Sequence, residues 1–291
     1  MADVTGTVTQ IFVYPIKSCA ATRLDRAQLT PLGLEYDRQW LIIDDVGQFQ
    51  TQRQIPHLAW IEPTIIGQGL QLRAPGLPEI TVPFAQPDAR KLATTIWNDR
   101  LVALDMGDFA ADWLDEFLQV PGRHFRLVQF DPGQSRLSDE LWCGQTPAGL
   151  QFADGFALNV LSEGSLRHFN ERLMEIQAAP VDARRFRPNL VVDGIEPYTE
   201  DLLGKMRLMS GADWVELELV KPCPRCQIPG INPDTAINEP EVTDMLSRYR
   251  QLESMDNAVC FAMNAVVSSK TAAQIMLGTT FEADYRFGAQ P

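Results

Sequence analysis

Short stretches in which apolar and polar residues alternate recur along most of the chain, and this alternation predicts half-buried β-strands. The first stretch covers residues 7–14. Trp40–Ile43 and Phe49–Arg53 are predicted to be the two arms of a hairpin, because Asp44–Gly47 between them is turn-forming. Gly and Pro separate four further stretches, which predicts a small antiparallel sheet or barrel: Trp60–Ile66, Leu70–Arg73, Glu79–Val82 and Arg100–Leu104.

Three stretches have helical periodicity instead. Asp108–Val120 has an apolar face, and Asp108 is placed to cap this helix. Ser162 is predicted to cap a second helix, and Glu239–Gln251 is predicted as the third. The inward-facing residues of the second helix are predicted to be Leu166, Phe169, Leu173 and Ile176. Strands are predicted again at Arg126–Phe130, Leu190–Val192, Trp214–Val220 and within Asn257–Phe287, and residues 156–161 form an apolar run after a turn.

Residues 131–150 are rich in Gly, Ser, Asp and Pro, which predicts a long loop at a junction between domains. The residues alone therefore predict a β-rich chain in two parts. The length of 291 residues and a hydrophobic content of 45% are typical of a soluble globular protein with a large core. Five cysteines and a polar N-terminus favour the reducing cytosol, so a cytoplasmic location is predicted. The net charge of −13 argues against binding to nucleic acid or to an anionic membrane.

The stretch with the clearest chemistry is Val220–Thr235, which holds two thiols and four prolines. Cys223 and Cys226 are separated by two residues, and Lys221 and Arg225 lie beside them. Nearby positive charge lowers the pKa of a thiol and favours the thiolate, which is both the nucleophile and the metal ligand. A structural zinc site would need further ligands, and the histidines and other cysteines are dispersed. A thioredoxin-like dithiol would need a helix directly after the pair, which the prolines oppose, and an inert buried pair is a third alternative.

Several cationic residues fall at the ends of predicted strands, where they could bind an anion. Lys17 follows the first strand, and Arg38 and Arg53 lie at the outer ends of the hairpin arms, close together. A second cluster, Arg184–Asn189, contains three arginines and an amide. Taken singly, each arginine or lysine is more simply a solvated surface residue, and Asp154 is more simply a turn residue.

Five motifs occur in order along the chain: Tyr14-Pro-Ile-Lys17-Ser18-Cys19, Asp37-Arg38-Gln-Trp40, Thr51-Gln-Arg53-Gln54, Phe186-Arg187-Pro188-Asn189, and Cys223-Pro-Arg225-Cys226 followed by Asn232-Pro-Asp234-Thr235. Together they resemble the MOSC family, in the two-part form found in the mitochondrial amidoxime-reducing component and in bacterial YcbX-type proteins. The resemblance covers nearly the whole chain. It implies an α+β fold that is mostly β, in which residues 1–130 form a β-barrel-like MOSC_N domain and residues 131–291 form a β-rich MOSC domain with a few helices.

The resemblance implies a molybdenum cofactor, in which a pterin dithiolene holds the metal and carries a phosphate. Cys226 would be the protein ligand to molybdenum, and Asp154 would assist it in catalysis by helping to deliver protons. The implied cofactor-binding residues are Lys17, Ser18, Arg38, Arg53, Asp154, Arg187, Asn189, Arg225 and Cys226. The implied activity is the reduction of N-hydroxylated compounds such as amidoximes, hydroxylamines and N-hydroxylated bases.

The chain departs from some members of the family. Nothing after Cys260 provides the cysteine spacing of a [2Fe–2S] domain, so electrons are expected from a separate ferredoxin- or cytochrome b5-like donor or a flavin reductase. Related cofactor sulfurases carry a pyridoxal-phosphate domain before the MOSC part, and neither that domain nor a membrane anchor is expected here. Two alternative functions remain: a carrier or sulfur-handling protein that binds the cofactor without turnover, and a dithiol redox protein that uses both Cys223 and Cys226.

Overall fold

The computed structural model describes residues 2–85, 88–143, 148–211, 213–269 and 272–286. Strands make up most of the secondary structure in these residues. They are β1 (Val4–Val13), β2 (Thr22–Leu24), β3 (Arg26–Thr30), β4 (Gly33–Leu34), β5 (Trp40–Asp44), β6 (Glu62–Ile66), β7 (Gly69–Arg73), β8 (Ile80–Pro83), β9 (Lys91–Ile96), β10 (Asp99–Asp105), β11 (Phe125–Phe130), β12 (Leu158–Ser162), β13 (Leu190–Asp193), β14 (Leu203–Ser210), β15 (Asp213–Pro224), β16 (Gln251–Leu252), β17 (Ala258–Val267), β18 (Ala273–Met276) and β19 (Thr280–Tyr285). The helices are α1 (Asp108–Leu118), α2 (Glu140–Cys143), α3 (Glu163–Glu175) and α4 (Pro240–Tyr249).

Seven strands form a closed ring that contains the larger core. Their order is β12, β13, β1, β19, β14, β15 and β17, and β17 pairs back with β12. Residues of one face of these strands fill the ring, among them Val8, Ile11, Val160, Leu190, Met206, Leu217, Met263 and Phe281. The first strand of the chain is thus a member of the ring, between β13 and β19.

The smaller part of the molecule is built from two further sheets. β5, β11, β10 and β9 form one, and β6, β7 and β8 form the other. Trp40, Leu58, Leu72, Trp113 and Phe125 belong to the apolar cluster between these sheets and α1. The predicted fold class, mostly β with a β-barrel N-terminal part, is confirmed. The division after residue 130 stays a prediction, and residues 144–147 of the predicted loop and residues 270, 271 and 287 of the predicted tail lie outside the described residues.

The predicted helices are present, but two predicted details are wrong. Ser162 does cap α3, since its side chain accepts a hydrogen bond from the Ser165 N–H at 3.4 Å. Asp108 does not cap α1, because Gly107 occupies the capping position and Asp108 pairs with Arg126. Ile176 is 39% exposed rather than inward-facing, because α3 ends one residue before it.

The predicted hairpin is present next to its turn, but its second arm, predicted as Phe49–Arg53, ends early. Phe49 forms an antiparallel bridge to Ile43, and the Gln50 N–H donates to the Ile42 carbonyl at 2.9 Å. The following residues turn back on themselves, and the Ile55 N–H donates to the Thr51 carbonyl at 3.0 Å. The strand β9 (Lys91–Ile96), which pairs with β10, was not predicted from the sequence.

The segment around the two thiols is a strand for longer than the prolines suggest. β15 continues through Pro222 and Pro224, with register shifts against β17 at both places. The residues left out of the ladder are Val220 and Cys223, while Pro222 and Pro224 stay paired with Met263 and Cys260, so each proline lies next to a bulge, where the loss of its N–H donor is tolerated. Cys223 therefore lies in the strand and Cys226 lies just beyond its end.

None of the helices that the structure describes combines the length and apolar character required to cross a membrane.

Candidate functional site

Five connecting segments meet at one end of the ring and line a cavity of about 130 Å³. These segments follow β1, precede β5, precede β12, precede β13 and follow β15. Eight of the nine predicted site residues line this cavity: Lys17, Ser18, Arg38, Asp154, Arg187, Asn189, Arg225 and Cys226. The exception is Arg53. The residues come from positions more than 200 apart in sequence (Lys17 and Cys226), and the closed ring is what brings them together.

Two arginines of the cavity wall lie over the ring of Tyr14. The guanidinium carbon of Arg38 is 4.3 Å from the ring centroid, and that of Arg187 is 4.2 Å away. Tyr14 is fully buried, and burial raises the pKa of its phenol. Burial also lowers the pKa of Arg187, with the charge of Arg38 adding to the effect. Two like charges are thus fixed close together, and Asp37 at 2.6 Å from Arg38 is the carboxylate that balances one of them.

Three residues of the wall have left-handed backbone conformations that non-glycine residues rarely adopt. The φ angles are +66° at Ser18, +48° at Arg38 and +54° at Arg187. Arg187 also precedes a proline, which normally forces an extended conformation. Each such residue costs roughly 1–2 kcal/mol, and the surrounding structure must hold it in place. The Arg38 N–H, for example, donates to the Tyr14 carbonyl at 2.9 Å, and Gln52 donates to the Ser18 carbonyl at 2.7 Å.

The side chain of Asn189 joins three parts of the wall. Its oxygen accepts from Arg38 Nη1 and from the Asn159 N–H, both at 3.1 Å, and its amide nitrogen donates to the Phe12 carbonyl at 3.2 Å. Asn189 is 1% exposed. The amide is therefore a fixed part of the wall, with both its donor and its acceptor in use.

Lys17 and Asp154 form an ion pair inside the cavity. Burial lowers the pKa of Lys17, and Asp154 opposes that shift. Burial alone would raise the pKa of Asp154, but the charge and hydrogen bond of Lys17 and a hydrogen bond from Trp97 Nε1 at 2.9 Å hold it at about 2. Many protein atoms surround this carboxylate, but the side chain itself faces the open space of the cavity and is accessible to solvent. Asp154 is consequently ionised at neutral pH.

Arg225 is held by backbone carbonyls. Its guanidinium donates to the Phe261 carbonyl at 2.6 and 2.8 Å and to the Phe186 carbonyl at 2.7 Å. These bonds fix the segment that carries the next residue, Cys226. Because the partners are neutral carbonyl groups, the positive charge of Arg225 in the cavity wall is not balanced by a carboxylate of the described residues.

The two thiols have different surroundings. Cys226 is exposed, and its sulfur accepts a hydrogen bond from the Ile228 N–H at 3.5 Å. Cys223 is half-buried, and burial raises its pKa more than the charge of Arg225 lowers it. The predicted lowering of the thiol pKa by the cationic surroundings is therefore wrong for Cys223. Cys226 is the thiol that lines the cavity.

The remaining predicted cations lie elsewhere. Lys221 lies over the ring of Trp142 at 4.7 Å. Arg184 pairs with Asp182 and Asp234, so the cluster before β13 does not act as one anion site. Arg53 lies over the ring of Trp97 at 4.8 Å, because Thr51–Gln54 is a turn and not a strand.

Sequence reasoning missed three side chains that shape the site. Tyr14 was recognised only as part of a motif, although it carries the two arginines. Trp97 and Asn159 were not recognised at all. The only sequence signal for Trp97 is a large aromatic residue directly before the turn-forming pair Asn98-Asp99, whereas Asn159 gives no local signal.

The donors around the cavity fit an anionic cofactor that brings its own metal ligands. Five cationic side chains line it, and three carboxylates pair with them: Lys17, Arg38, Arg185, Arg187 and Arg225, against Asp37, Asp154 and Glu239. Arg187 Nη2 is buried and has no hydrogen-bond partner among the described residues, so one strong donor is unused. In the same part of the chain, no group of three or more His, Cys, Asp or Glu side chains could hold a metal by itself. A single exposed thiol suits a soft metal whose other ligands come from elsewhere.

The sequence matches two family domains. The MOSC N-terminal beta barrel domain matches residues 5–121, and the MOSC domain matches residues 147–282. Mitochondrial amidoxime reducing component 2 of Bos taurus is 32% identical over 262 residues, which cover 87% of this chain and 75% of that protein. Mitochondrial amidoxime-reducing component 1 of Homo sapiens is 31% identical over 256 residues, which cover 85% and 73%.

A longer relative matches through part of its length. Molybdenum cofactor sulfurase of Danio rerio is 29% identical over 264 residues, which cover 84% of this chain and 30% of that protein. The two matched domains and the relatives at over 30% identity along most of their length agree. The chain therefore belongs to the MOSC family, in the two-part form whose N-terminal domain is a β-barrel.

Proposed function

We propose that the protein is a molybdenum-cofactor-dependent oxidoreductase that reduces N-hydroxylated compounds with electrons from a separate partner protein. The relatives named for amidoxime reduction support this, since they match most of the chain. The proposed substrates are amidoximes, hydroxylamines and N-hydroxylated bases. We also propose a cytoplasmic location and a division into two domains, residues 1–130 and residues 131–291.

One structural observation carries the proposal: the exposed thiol of Cys226 shares a cavity with an excess of cationic side chains. Cys226 would hold the metal, and a thiolate is a suitable ligand for a soft metal. The pterin and its phosphate would be held by Lys17, Ser18, Arg38, Arg187, Asn189 and Arg225. Arg187 Nη1 donates to the Cys19 carbonyl at 2.9 Å, so the unused Nη2 is the donor that suits a phosphate oxygen, since hydrogen bonds from a charged guanidinium to phosphate are strong.

The reaction consumes two electrons and two protons. The N–O bond of an amidoxime breaks, and an amidine and water are formed. The cofactor, when bound, supplies the two-electron chemistry for this step. The protein supplies orientation, charge and protons. The Asp154 carboxylate is ionised and holds no proton to donate at neutral pH, so its contribution would be to hold the Lys17 ammonium, whose pKa is lowered, as the proton source.

A second function, carrying or sulfurating the cofactor without turnover, is favoured by two observations. Cys226 is exposed, and a cofactor sulfurase matches 84% of the chain. Both functions use the same cavity, so turnover distinguishes them.

The experiment measures reduction of benzamidoxime to benzamidine by the protein purified with its cofactor. Dithionite-reduced methyl viologen supplies the electrons, so no partner protein is needed. We expect turnover by the wild type and a loss of at least ~100-fold in Cys226→Ala, because that change removes the metal ligand. Cys223→Ala is the matched control and should stay within about threefold of wild type, since Cys223 is half-buried and does not line the cavity.

Two outcomes would contradict the proposal. If the molybdenum-loaded wild type reduces no amidoxime, hydroxylamine or N-hydroxylated base, the reductase proposal fails and the carrier function is the one that is left. Equal losses in the two cysteine variants would support the dithiol function instead, because a dithiol needs both sulfurs.

A further inference from the structure

Cys226 borders a second cavity, of about 480 Å³, that is larger than the first. Besides Arg225 and Cys226, it is lined by Arg53, Gln227, Thr243, Leu246, Ser247 and Val259. Arg53 belongs to the smaller part of the molecule, and Thr243, Leu246 and Ser247 belong to α4. This cavity shares with the first one only Arg225 and Cys226, which follow the end of β15. A reacting molecule in it would have access to the same sulfur that the proposed metal binds.

Arg53 places a fixed positive charge in this cavity. Its guanidinium lies over Trp97 at 4.8 Å, and Trp97 in turn packs against Phe49 at 4.9 Å. No carboxylate of the described residues forms an ion pair with Arg53. The nearest hydrogen bond is a long one to the hydroxyl of Thr51, at 3.5 Å. Arg53 is exposed, so its remaining donors are available to a ligand.

Helix α4 provides hydrogen-bond acceptors to the same cavity, whereas Arg53 provides donors. Thr243 donates its hydroxyl proton to the Pro240 carbonyl at 3.0 Å, and Ser247 donates to the Thr243 carbonyl at 2.9 Å. With their protons committed to the helix backbone, both oxygens still have lone pairs to accept hydrogen bonds from a ligand N–H. Leu246 and Val259 add apolar surface.

We infer that this second cavity receives the substrate and that Arg53 selects planar N-hydroxylated compounds that carry a negatively charged group. The inference rests on the proposed function. A guanidinium binds a carboxylate through paired hydrogen bonds and also stacks on planar groups. The α4 hydroxyl oxygens match the amino group of an amidoxime. In a protein with a net charge of −13, an arginine without an acidic partner is the feature that makes this cavity favourable for an anion.

The test compares benzamidoxime with 4-carboxybenzamidoxime as substrates of the cofactor-loaded protein, with reduced methyl viologen as donor. We expect the carboxylated compound to have the higher kcat/KM, by roughly fivefold or more, as for an accessible ion pair with good geometry. In Arg53→Gln this preference should disappear through a higher KM for the carboxylated compound. Arg53→Lys, which keeps the charge but not the planar fork, should retain part of the preference.

Arg73→Gln is the matched control. It removes the same charge from an exposed arginine on β7 that borders neither cavity, so the preference should be unchanged. The molybdenum and pterin contents of Arg53→Gln should equal those of the wild type. If they fall, Arg53 holds the cofactor and the inference is overturned.

A binding measurement separates this inference from the proposed function. Titration calorimetry with 4-carboxybenzamidine, the expected product, should show weaker binding to Arg53→Gln than to wild type. If the loaded wild type turns over neither compound but Arg53 still governs binding of the product, the proposed reaction fails and the cavity assignment stands. If both compounds are reduced with equal kcat/KM in wild type and Arg53→Gln, the reaction stands and the cavity assignment fails.

Discussion

At the scale of single residues, the site is assembled around side chains that serve several partners at once. Asn189 connects Arg38, Asn159 and Phe12 through one buried amide. The guanidinium groups of Arg38 and Arg187 both lie over the ring of Tyr14. These contacts hold the left-handed backbone at Arg38 and Arg187, which would otherwise relax. The charges that face the cavity are thus held before any ligand arrives.

Replacing Asn189 by Ala should destabilise the fold as well as the site. The change leaves the buried Asn159 N–H and the Phe12 carbonyl without their partner, and each unpaired buried group costs about 1–3 kcal/mol. We therefore expect the free energy of unfolding, measured in urea without cofactor, to fall by about 2–4 kcal/mol. Asn98→Ala, in an exposed turn, is the control and should change it by less than about 0.5 kcal/mol. An Asn189→Ala protein as stable as the control would show that the amide does not hold the wall.

At the scale of elements, helix α3 begins over a buried carboxylate. Glu200 is fully buried and accepts hydrogen bonds from the Ser162 N–H at 3.2 Å and from the Ser165 hydroxyl at 2.8 Å. Burial raises the pKa of Glu200 to about 7, and the neighbouring Asp201 contributes in the same direction. The bonds from the helix start oppose this shift but do not cancel it.

This shift predicts a pH dependence of stability. Because the pKa of Glu200 is higher in the folded state than its ordinary value of 4.5, the folded protein binds this proton more tightly than the unfolded chain. The stabilisation is complete below about pH 4.5 and is lost as the pH rises through 7. We expect the wild type to lose roughly 3 kcal/mol of unfolding free energy between pH 5 and pH 8 relative to Glu200→Gln, measured by urea unfolding. Glu175→Gln, at the exposed end of α3, should show the wild-type slope. Parallel curves for wild type and Glu200→Gln would contradict the prediction.

The elements also show what the sequence could and could not predict. Strands with strong alternation, such as β1 and β15, and the cap at Ser162 were predictable because the signal is local. The extension of β15 through Pro222 and Pro224 was not, because it depends on bulges against β17. β9 was missed since its sequence, Lys-Leu-Ala-Thr-Thr-Ile, alternates only weakly between apolar and polar residues, and the arm starting at Phe49 was predicted too long because its sequence gave no sign of the turn at Thr51.

At the scale of the whole molecule, the ring gives the site its position. The strand β1 belongs to the start of the chain, yet it pairs with β13, more than 175 residues later, and with β19, near the other end. Lys17 and Arg38 are thereby placed next to Arg187 and Cys226. Local patterns could not reveal this closure. The family motifs identified the residues because the motifs record positions that meet in space, whereas the separate location of Arg53 emerged only from the fold.

The most direct test of the account is the metal and pterin content of the protein produced in a host that makes the molybdenum cofactor. We predict about one molybdenum and about one pterin per chain in the wild type and in Cys223→Ala, and loss of the molybdenum in Cys226→Ala, because binding depends on that thiolate. Stoichiometric zinc would contradict the account. So would the lack of both molybdenum and pterin in a host that loads other molybdoenzymes.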